Sequence, residues 1–441
     1  MSTSITIVDS IMGSGKTSAM IEVMNQNPDT NYIFITPYLD EIDRVIQAAT
    51  HPLYQPHQLG QGKLASLHEL LAAGKSIAAT HALFLRANDE TIQLIREGGY
   101  TLVLDEALNV LQEFNSVLKD SPDKCINKDD VELLLRKGLI SIDERQHVSW
   151  TDVSFADSHF SEVERLAKNG TLRCIDHALY WEYPVDVLCA FEKIFILTYL
   201  FDGSIFSAYL KLYGLAYEKV SVETAEQGSF VLTEYKDDVE MRQGFQSLIS
   251  IYDGYLNDIG TRHNAFSFRW LLNQRKVGIK TIQNAMRNYR YHTHAASCQI
   301  MWTTAKKNNF HRRLGNVAGF KYIRQLTKAE RNLPLRELEK LQCFVPCSAR
   351  ATNHFSDRTV LLYLVNRYLP PEIEKYFALQ KITLDESLFA TSELVQWIWR
   401  SAIRNRQPIQ IYIPSSRMRK LLCTWLGCSY EPRTKQPEFS A

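Results

Sequence analysis

The chain has 441 residues, a formal net charge of +1, and 45% hydrophobic and 22% charged residues, which is typical of a globular protein with more than one domain. No apolar run reaches the roughly 20 residues that a membrane-spanning helix needs, and the amino terminus lacks the features of a secretory signal. We therefore expect a cytoplasmic protein with no membrane partner. Because the net charge is nearly balanced, a polyanionic partner would have to be recognised by local charge.

The first motif lies at residues 9–18, which read DSIMGSGKTS and follow the apolar run SITIV. Two glycines let consecutive backbone N–H groups point at one anion, and the helix that follows directs its N-terminal dipole at the same point. Lys16 can then reach the β- and γ-phosphates of a nucleotide, and the Thr17 hydroxyl can hold Mg²⁺. Ser10 stands where the usual P-loop pattern has glycine, which is a mild departure. The pattern predicts an ATP site formed by Gly13, Ser14, Gly15, Lys16, Thr17 and Ser18.

An acidic pair ends a second apolar run, GYTLVLDEAL, at residues 99–108. P-loop enzymes need a carboxylate for the metal ion at the end of a neighbouring strand. We predict that Asp105 coordinates Mg²⁺ together with Thr17, and that Glu106 polarises the attacking water. Lys16, Asp105 and Glu106 are therefore the catalytic candidates of the first half.

Three further strand-like runs each have a threonine at the end of their apolar part. Thr36 ends the apolar part of TNYIFITPY, Thr80 that of KSIAATHALF and Thr198 that of FEKIFILTYLFDGS. Strands that alternate with helical stretches indicate a parallel sheet, and ligands bind at the carboxyl ends of such strands. We expect these threonines and Asp105 to lie along one edge of the sheet. For each threonine, an ordinary role as a β-branched strand residue is the alternative.

A basic segment covers residues 259–329, with fourteen Lys or Arg and no Asp or Glu. A solvated protein face normally mixes both signs of charge, whereas basic side chains neutralise phosphates and aromatic rings stack on unpaired bases. We therefore predict nucleic-acid contact here. The interleaved aromatic residues are Phe266, Phe268, Trp270, Tyr289, Tyr291, Trp302, Phe310, Phe320 and Tyr322. The densest basic clusters, which are the candidate contacts, are Arg287, Arg290, Lys306, Lys307, Arg312 and Arg313.

The succession Gly-Ser-Gly-Lys-Thr, Ile-Thr-Pro, Ala-Thr-His, Asp-Glu-Ala and Leu-Thr-Tyr resembles motifs I, Ia, Ib, II and III of superfamily 2 helicases. It is most similar to the DEAD/DEAH-type helicase-like proteins of phages and mobile elements. The resemblance implies that Thr36 and Thr80 touch the nucleic-acid backbone or relay the state of ATP to it. It also implies DNA rather than RNA, replication or recombination proteins as partners and, for a phage-encoded chain, the host cytoplasm. Leu108 departs from the motif II pattern of that family.

Two stretches of the second half resemble further helicase motifs. CSARATNHFSDRTVLLYLVN looks like motif V, which implies a nucleic-acid contact by Thr352. TSELVQWIWRSAIRN places Gln396, Arg400 and Arg404 four residues apart, so that we expect them on one face of a helix. This helix resembles motif VI with altered spacing, which implies ATP binding by Gln396. It also implies that Arg404 or Arg400 stabilises the charge that develops on the γ-phosphate.

We therefore expect an α/β protein of two RecA-like domains with parallel sheets. Residues 1–220 form the first domain, with an insertion at about 110–190, and residues 221–441 form the second, with the basic, aromatic-rich segment as its insertion. The predicted function is an ATP-dependent DNA helicase or translocase that hydrolyses ATP when nucleic acid is bound.

Three other classes of protein remain as alternatives. A P-loop nucleotide kinase would have no role for the acid-free segment. A DNA-packaging ATPase would carry a nuclease domain with clustered carboxylates, and no such cluster follows Ser204. A non-enzymatic nucleic-acid-binding protein would have no use for a P-loop together with a helix that resembles motif VI.

Overall fold

The computed structural model describes residues 3–37, 39–57, 62–117, 125–151, 159–225, 228–317, 319–320, 343–347 and 354–430. The chain divides into two compact units, Met1–Lys236 with Leu369–Asp385, and Asp237–Tyr368 with Glu386–Ala441. The sequence predicts a boundary at residue 220. The first unit extends beyond it because a strand that ends at residue 224 and a strand that begins at residue 230 belong to the first sheet.

The strands described for the first unit are β1 (Ser4–Asp9), β2 (Tyr32–Thr36), β3 (Ile77–Thr80), β4 (Thr101–Asp105), β5 (Leu111–Glu113), β6 (Ile140–Ile142), β7 (Val148–Trp150), β8 (Leu172–Ile175), β9 (Ala178–Glu182), β10 (Lys193–Thr198), β11 (Glu218–Thr224) and β12 (Phe230–Glu234). Those of the second unit are β13 (Ile249–Ile251), β14 (Ile300–Thr303), β15 (Val360–Tyr363) and β16 (Ile409–Tyr412). Each unit has one sheet in which parallel pairing predominates.

The helices described for the first unit are α1 (Lys16–Gln26), α2 (Leu39–Ala48), α3 (Lys63–Ala72), α4 (His81–Phe84), α5 (Asp89–Gly98), α6 (Phe114–Val117), α7 (Lys128–Arg136), α8 (Ser161–Lys168), α9 (Val185–Leu188), α10 (Ile205–Leu212) and, from late in the chain, α15 (Pro371–Leu379). Those of the second unit are α11 (Val239–Gln243), α12 (Phe268–Leu272), α13 (Lys276–Thr293), α14 (Phe310–Leu314), α16 (Glu386–Ile398) and α17 (Ser416–Leu426).

The main sheet of the first unit has the strand order β12-β11-β1-β10-β4-β2-β3. Its pairs are parallel except for the antiparallel hairpin of β11 and β12. Both faces are covered, because successive side chains of a strand point to opposite sides and are buried on each side. In β4, for example, Leu104 packs in one core cluster and Val103 in the other. The predicted α/β class with parallel sheets is confirmed.

The chain between β4 and β10 forms a smaller body of the first unit. Strands β5, β9 and β8 make an antiparallel sheet, and β6 and β7 form a hairpin. A buried ion pair joins Arg173 of β8 to Glu182 of β9, and the same carboxylate accepts hydrogen bonds from Tyr213 (2.8 Å) and from Tyr376 of α15 (3.1 Å). The late segment that contains α15 is thus joined to this body by a buried polar cluster.

The sheet of the second unit has the order β13-β16-β15-β14 with all pairs parallel. Its core is rich in large rings, and Trp302, Tyr363, Trp397 and Tyr412 are fully buried. The basic segment contributes α12, α13, β14 and α14 to this unit, so that its first part is built into the fold around the sheet.

One predicted helix ends earlier than expected. Helix α16 stops at Ile398, and Ser401 begins a separate 3₁₀ turn at Ala402–Asn405 that contains Arg404. The Ser401 backbone is extended and its hydroxyl accepts the N–H of Ile403 at 3.5 Å, as expected for a serine that caps a new helical turn. The prediction that Gln396, Arg400 and Arg404 share one helical face is therefore wrong.

Candidate functional site

The carboxyl ends of four parallel strands bring the predicted residues to one edge of the first sheet. Thr36 of β2 pairs with Thr80 of β3, and Asp9 of β1 pairs with Thr198 of β10. Asp105 of β4 pairs with Leu197, one residue before the end of β10. The predicted common edge of the three threonines and Asp105 is confirmed by this register.

The loop between β1 and α1 has the backbone conformation that its glycines allow. Gly13 and Gly15 have φ values of +82° and +88°, in a region that residues with a Cβ adopt at a cost. Helix α1 begins directly at Lys16. The Lys16 ammonium donates to the backbone oxygens of Ser10 (2.6 Å) and Ile11 (3.0 Å), and so lies over the loop itself. A phosphate bound in the loop would compete with these oxygens for the same ammonium.

Ser14 and Ser18 occupy the middle and the end of the predicted ATP site, and both are half-buried. The Ser14 hydroxyl oxygen is withdrawn from solvent and has no hydrogen-bond partner among the described residues. A buried polar atom without a partner is unfavourable, and a ligand in the loop would satisfy it. This observation is independent of the sequence motif.

Asp105 lies between two threonine hydroxyls. Thr17 donates to one carboxylate oxygen at 3.2 Å, and Thr36 donates to the other at 3.4 Å. Burial, with smaller contributions from Glu106 and Glu41, raises the pKa of Asp105 to about 6. Thr36 is fully buried, so its side chain is covered by protein and its hydroxyl binds the carboxylate of Asp105. A divalent cation here would be bound by the carboxylate and the Thr17 hydroxyl, which is a donor set that suits Mg²⁺.

Glu106 follows the strand in an unusual backbone conformation. Its φ is +89°, which is costly for a residue with a side chain, and its N–H donates to the backbone oxygen of Leu197 at 3.0 Å. Such conformations cluster at functional sites, where the surrounding structure enforces them. The conformation sets the direction of a carboxylate next to Asp105.

Asp9, the last residue of β1, and Ser10, which follows it, have roles that the sequence motif did not reveal. The Asp9 carboxylate accepts the N–H groups of Leu200 (2.8 Å) and Phe201 (3.2 Å), and burial raises its pKa. It thereby ties the P-loop strand to the segment that follows Thr198. Ser10 accepts the N–H of Val222 at 2.9 Å through its hydroxyl, which gives the serine at this P-loop position a role that glycine could not fill.

The aromatic residues of the basic segment are mostly core residues. Five of the nine are buried, which corrects the prediction that they are stacking platforms as a group: Phe266, Tyr289, Trp302, Phe310 and Phe320. Phe268 is 40% exposed and Tyr291 is 72% exposed, and these two retain accessible rings. Tyr322 lies outside the described residues.

The basic residues, by contrast, lie on the surface. Arg287 is exposed on α13, on the same helical face as Lys280 and Tyr291, while Ile282 and Met286 bury the opposite face. Helix α14 lies alongside, because the Gln283 side chain donates to the backbone oxygens of Arg313 (3.0 Å) and Leu314 (3.2 Å). Six exposed cations of α13, α14 and the stretch between β14 and α14 are together called the basic face: Lys280, Arg287, Lys306, Lys307, Arg312 and Arg313.

The other predicted residues are distributed as follows. Arg290 is half-buried and donates to the backbone oxygen of Ala295 at 3.0 Å, which gives it a structural role. Thr80 caps α4 by accepting the N–H of Leu83 at 3.4 Å. Arg400 is buried and donates to the backbone oxygen of Gln396 at 3.2 Å, whereas Arg404 is exposed. Thr352 lies outside the described residues.

The fold of the chain is similar to that of two solved structures of XPD. It matches an apo structure of XPD with a TM-score of 0.55 at 12% identity, over 97% of this chain and 96% of that one. A structure of an XPD helicase matches with a TM-score of 0.53 at 10% identity, over 97% and 95% of the two chains. At these identities the likeness concerns the fold.

The sequence itself matches a narrower group. Residues 243–426 match the YonV C-terminal Rossmann-like domain, and residues 123–181 match the YonV middle domain. The SPbeta prophage-derived protein YonV of Bacillus subtilis strain 168 is 36% identical over 437 residues, which covers 95% of this chain and 98% of that protein. The chain belongs to the YonV family. No helix of the described residues is long and apolar enough to cross a membrane.

Proposed function

We propose that this protein is an ATP-dependent nucleic-acid motor, a helicase or translocase, whose nucleotide site is the P-loop edge of the first sheet. The observation that carries the proposal is the contact of Thr17 with Asp105, at 3.2 Å, beside a glycine loop whose Ser14 hydroxyl has no partner among the described residues. A phosphate-binding loop next to a desolvated carboxylate is the arrangement that Mg²⁺-dependent nucleotide hydrolysis requires.

In this proposal each residue of the edge has one task. The N–H groups of the loop and Lys16 bind the β- and γ-phosphates, and Thr17 and Asp105 hold Mg²⁺. When bound, Mg²⁺ neutralises phosphate charge and favours displacement at the γ-phosphate. Glu106 orients the attacking water and accepts its proton. Arg404, which is exposed, is the preferred candidate for the arginine that acts on the γ-phosphate, and buried Arg400 supports the turn that precedes it.

The basic face supports a polyanionic track. Its six cations lie in residues 259–329, a part of the sequence that contains no Asp or Glu. Such surfaces bind the phosphate backbone with little dependence on sequence. We propose DNA as the track and a role in phage-type replication or recombination, in keeping with the prophage origin of the relative that is 36% identical.

The test is ATP hydrolysis by the purified chain alone and with single-stranded DNA, duplex DNA or RNA. We expect strong stimulation by one of the polymers, and we expect Lys16→Ala to abolish hydrolysis because the loop loses its cation. Lys63→Ala removes an exposed lysine at the start of α3 and is the matched control, with unchanged hydrolysis expected. Hydrolysis that persists in Lys16→Ala would place the site elsewhere. Hydrolysis that ignores all three polymers would overturn the motor and direct attention to a small phosphate acceptor.

A further inference from the structure

The hairpin of β11 and β12 extends beyond the edge of the first sheet, next to the P-loop. Strand β11 pairs with β1 through Val220 opposite Val8, and then continues to Thr224, whereas β1 ends at Asp9. Strand β12 begins at Phe230, which pairs with Thr224. Phe230 therefore lies past the end of β1, on the side of the sheet edge where ligands bind in parallel α/β proteins.

The Phe230 ring lies directly against the phosphate loop. A Cβ placed on Gly15 would come within 2.2 Å of the ring, so the ring covers the backbone of that glycine. The Phe230 N–H donates to the Glu22 carboxylate of α1 at 3.3 Å, and Ser10 binds the N–H of Val222 in β11. One part of the ring packs on the core beneath α1, and the residue is only half-buried.

The order of the strands indicates which end of a nucleotide would meet this ring. The metal-binding residue Asp105 belongs to β4, which lies on one side of β1, whereas β11 and β12 lie on the other side. The γ-phosphate is the end of ATP next to the metal and the attacking water. The ribose and base, at the opposite end of the triphosphate, would extend toward the hairpin.

We propose that Phe230 is a stacking platform for the base of the bound nucleotide. The inference rests on the proposed nucleotide site and adds to it a residue that recognises the base. An aromatic ring can stack on any of the bases. Such stacking increases the affinity roughly tenfold or more. Recognition of this kind favours the larger ring system of a purine over that of a pyrimidine.

The experiment compares two probes that differ only in whether they carry a nucleoside. Dissociation constants of Mg-ATP and of Mg-tripolyphosphate are measured by calorimetry for the wild type and for Phe230→Leu, which keeps an apolar side chain. We expect Phe230→Leu to weaken ATP about tenfold and to leave tripolyphosphate unchanged. Phe230→Tyr restores the ring and should restore ATP binding. Tyr235→Leu removes a 45% exposed ring just after β12 and is the control, with both constants unchanged.

The remaining outcomes separate the two proposals. Equal weakening of ATP and tripolyphosphate by Phe230→Leu would mean that the ring only supports the loop, which overturns the stacking role. Unchanged binding of both would overturn it as well. If the wild type binds neither probe, the nucleotide site itself is wrong. If the wild type binds ATP and prefers it to CTP, Phe230→Leu should reduce that preference, and an undiminished preference would contradict base stacking.

Discussion

The two units use the carboxyl edges of their parallel sheets in opposite ways. In the first sheet, Asp105 and the P-loop present a carboxylate, a hydroxyl and an ammonium around one loop. In the second sheet, Thr304 and Ser415, which follow β14 and β16, bind the protein's own backbone. Thr304 donates to the backbone oxygen of Leu364 at 3.1 Å, and Ser415 accepts the N–H of Met418 at 3.4 Å as the cap of α17.

Asn366 is the clearest example of a side chain of the second unit that binds the protein's own backbone. Its amide donates to the backbone oxygens of His263 (2.9 Å) and Ala265 (3.1 Å), and its oxygen accepts from Arg417 at 3.0 Å, while the residue is 1% exposed. The carboxyl edge of the first sheet therefore presents the groups that we propose as ligand-binding, whereas Asn366 closes loops of the second unit.

The largest effect is expected from a substitution at the carboxyl edge of the first sheet. Asp105→Asn removes the carboxylate proposed to hold Mg²⁺, and loss of several kcal/mol of charge stabilisation should lower Mg²⁺-dependent ATP hydrolysis by about 100-fold or more. Steady-state hydrolysis assays measure the change. Asp89→Asn, at an exposed position in the first turn of α5, is the control and should hydrolyse ATP like the wild type. A near-normal rate in Asp105→Asn would mean that the carboxyl edge of the first sheet does not differ chemically from the carboxyl edge of the second sheet.

The same variant has a stability signature in metal-free protein. Burial raises the pKa of Asp105 from 3.8 to about 6, so the folded state holds the proton more tightly than the unfolded state does. The carboxyl group therefore disfavours folding increasingly as the pH rises from 3.8 through about 6. Asp105→Asn should lose this contribution and unfold at a temperature at or above that of the wild type at pH 7.

A smaller effect is expected at the second edge. Asn366→Ala removes a donor to the backbone oxygens of His263 and Ala265 and one of the acceptors of Arg417, which should reduce the free energy of unfolding by about 1–3 kcal/mol. Urea denaturation measures this loss, and hydrolysis per folded molecule should be unchanged. Asn284→Ala, at an exposed position of α13, should leave stability within about 0.5 kcal/mol. Normal stability with lost hydrolysis in Asn366→Ala would give the second edge a chemical role and break the comparison.

The smallest effect per residue is expected at the basic face. Replacing Arg312 and Arg313 by alanine should lower the slope of log affinity for DNA against log salt by about one for each phosphate that is no longer neutralised. Fluorescence anisotropy at several salt concentrations gives the slope. The control replaces Arg165 and Lys168 of α8, which are exposed cations of the first unit. An equal change of slope in the control would mean that any surface cation serves and that the basic face is not a specific site.

The residues at the carboxyl edge of the first sheet were predictable because short, local sequence patterns identify them. Thr36, Thr80, Asp105 and Thr198 each end an apolar run, and the carboxyl ends of parallel strands must share one edge. The contact of Thr17 with Asp105 follows from the same rule. The roles of Asp9 and Ser10 could not be inferred from the motif, since their hydrogen bonds reach backbone groups about two hundred residues away.

The second unit was less predictable because its signals depend on burial. Tyr289 follows Ile282, Ala285 and Met286 at helical spacing and is buried with them, whereas Tyr291 lies on the opposite face. That spacing could have separated core rings from exposed rings, which composition could not do. The end of α16 at Ile398 depends on the cap that Ser401 forms, and a serine within an apolar stretch is a weak stop signal.

The polar cluster around Glu182 also has a consequence for the order of synthesis. Tyr376 enters that cluster from a segment translated long after the rest of the first unit, which is otherwise complete at Lys236. A nascent chain that ends between these points lacks one hydrogen-bond donor to the buried carboxylate and leaves the surface that α15 covers exposed. Completion of the first unit on the ribosome therefore waits until residues of the second unit have already been made.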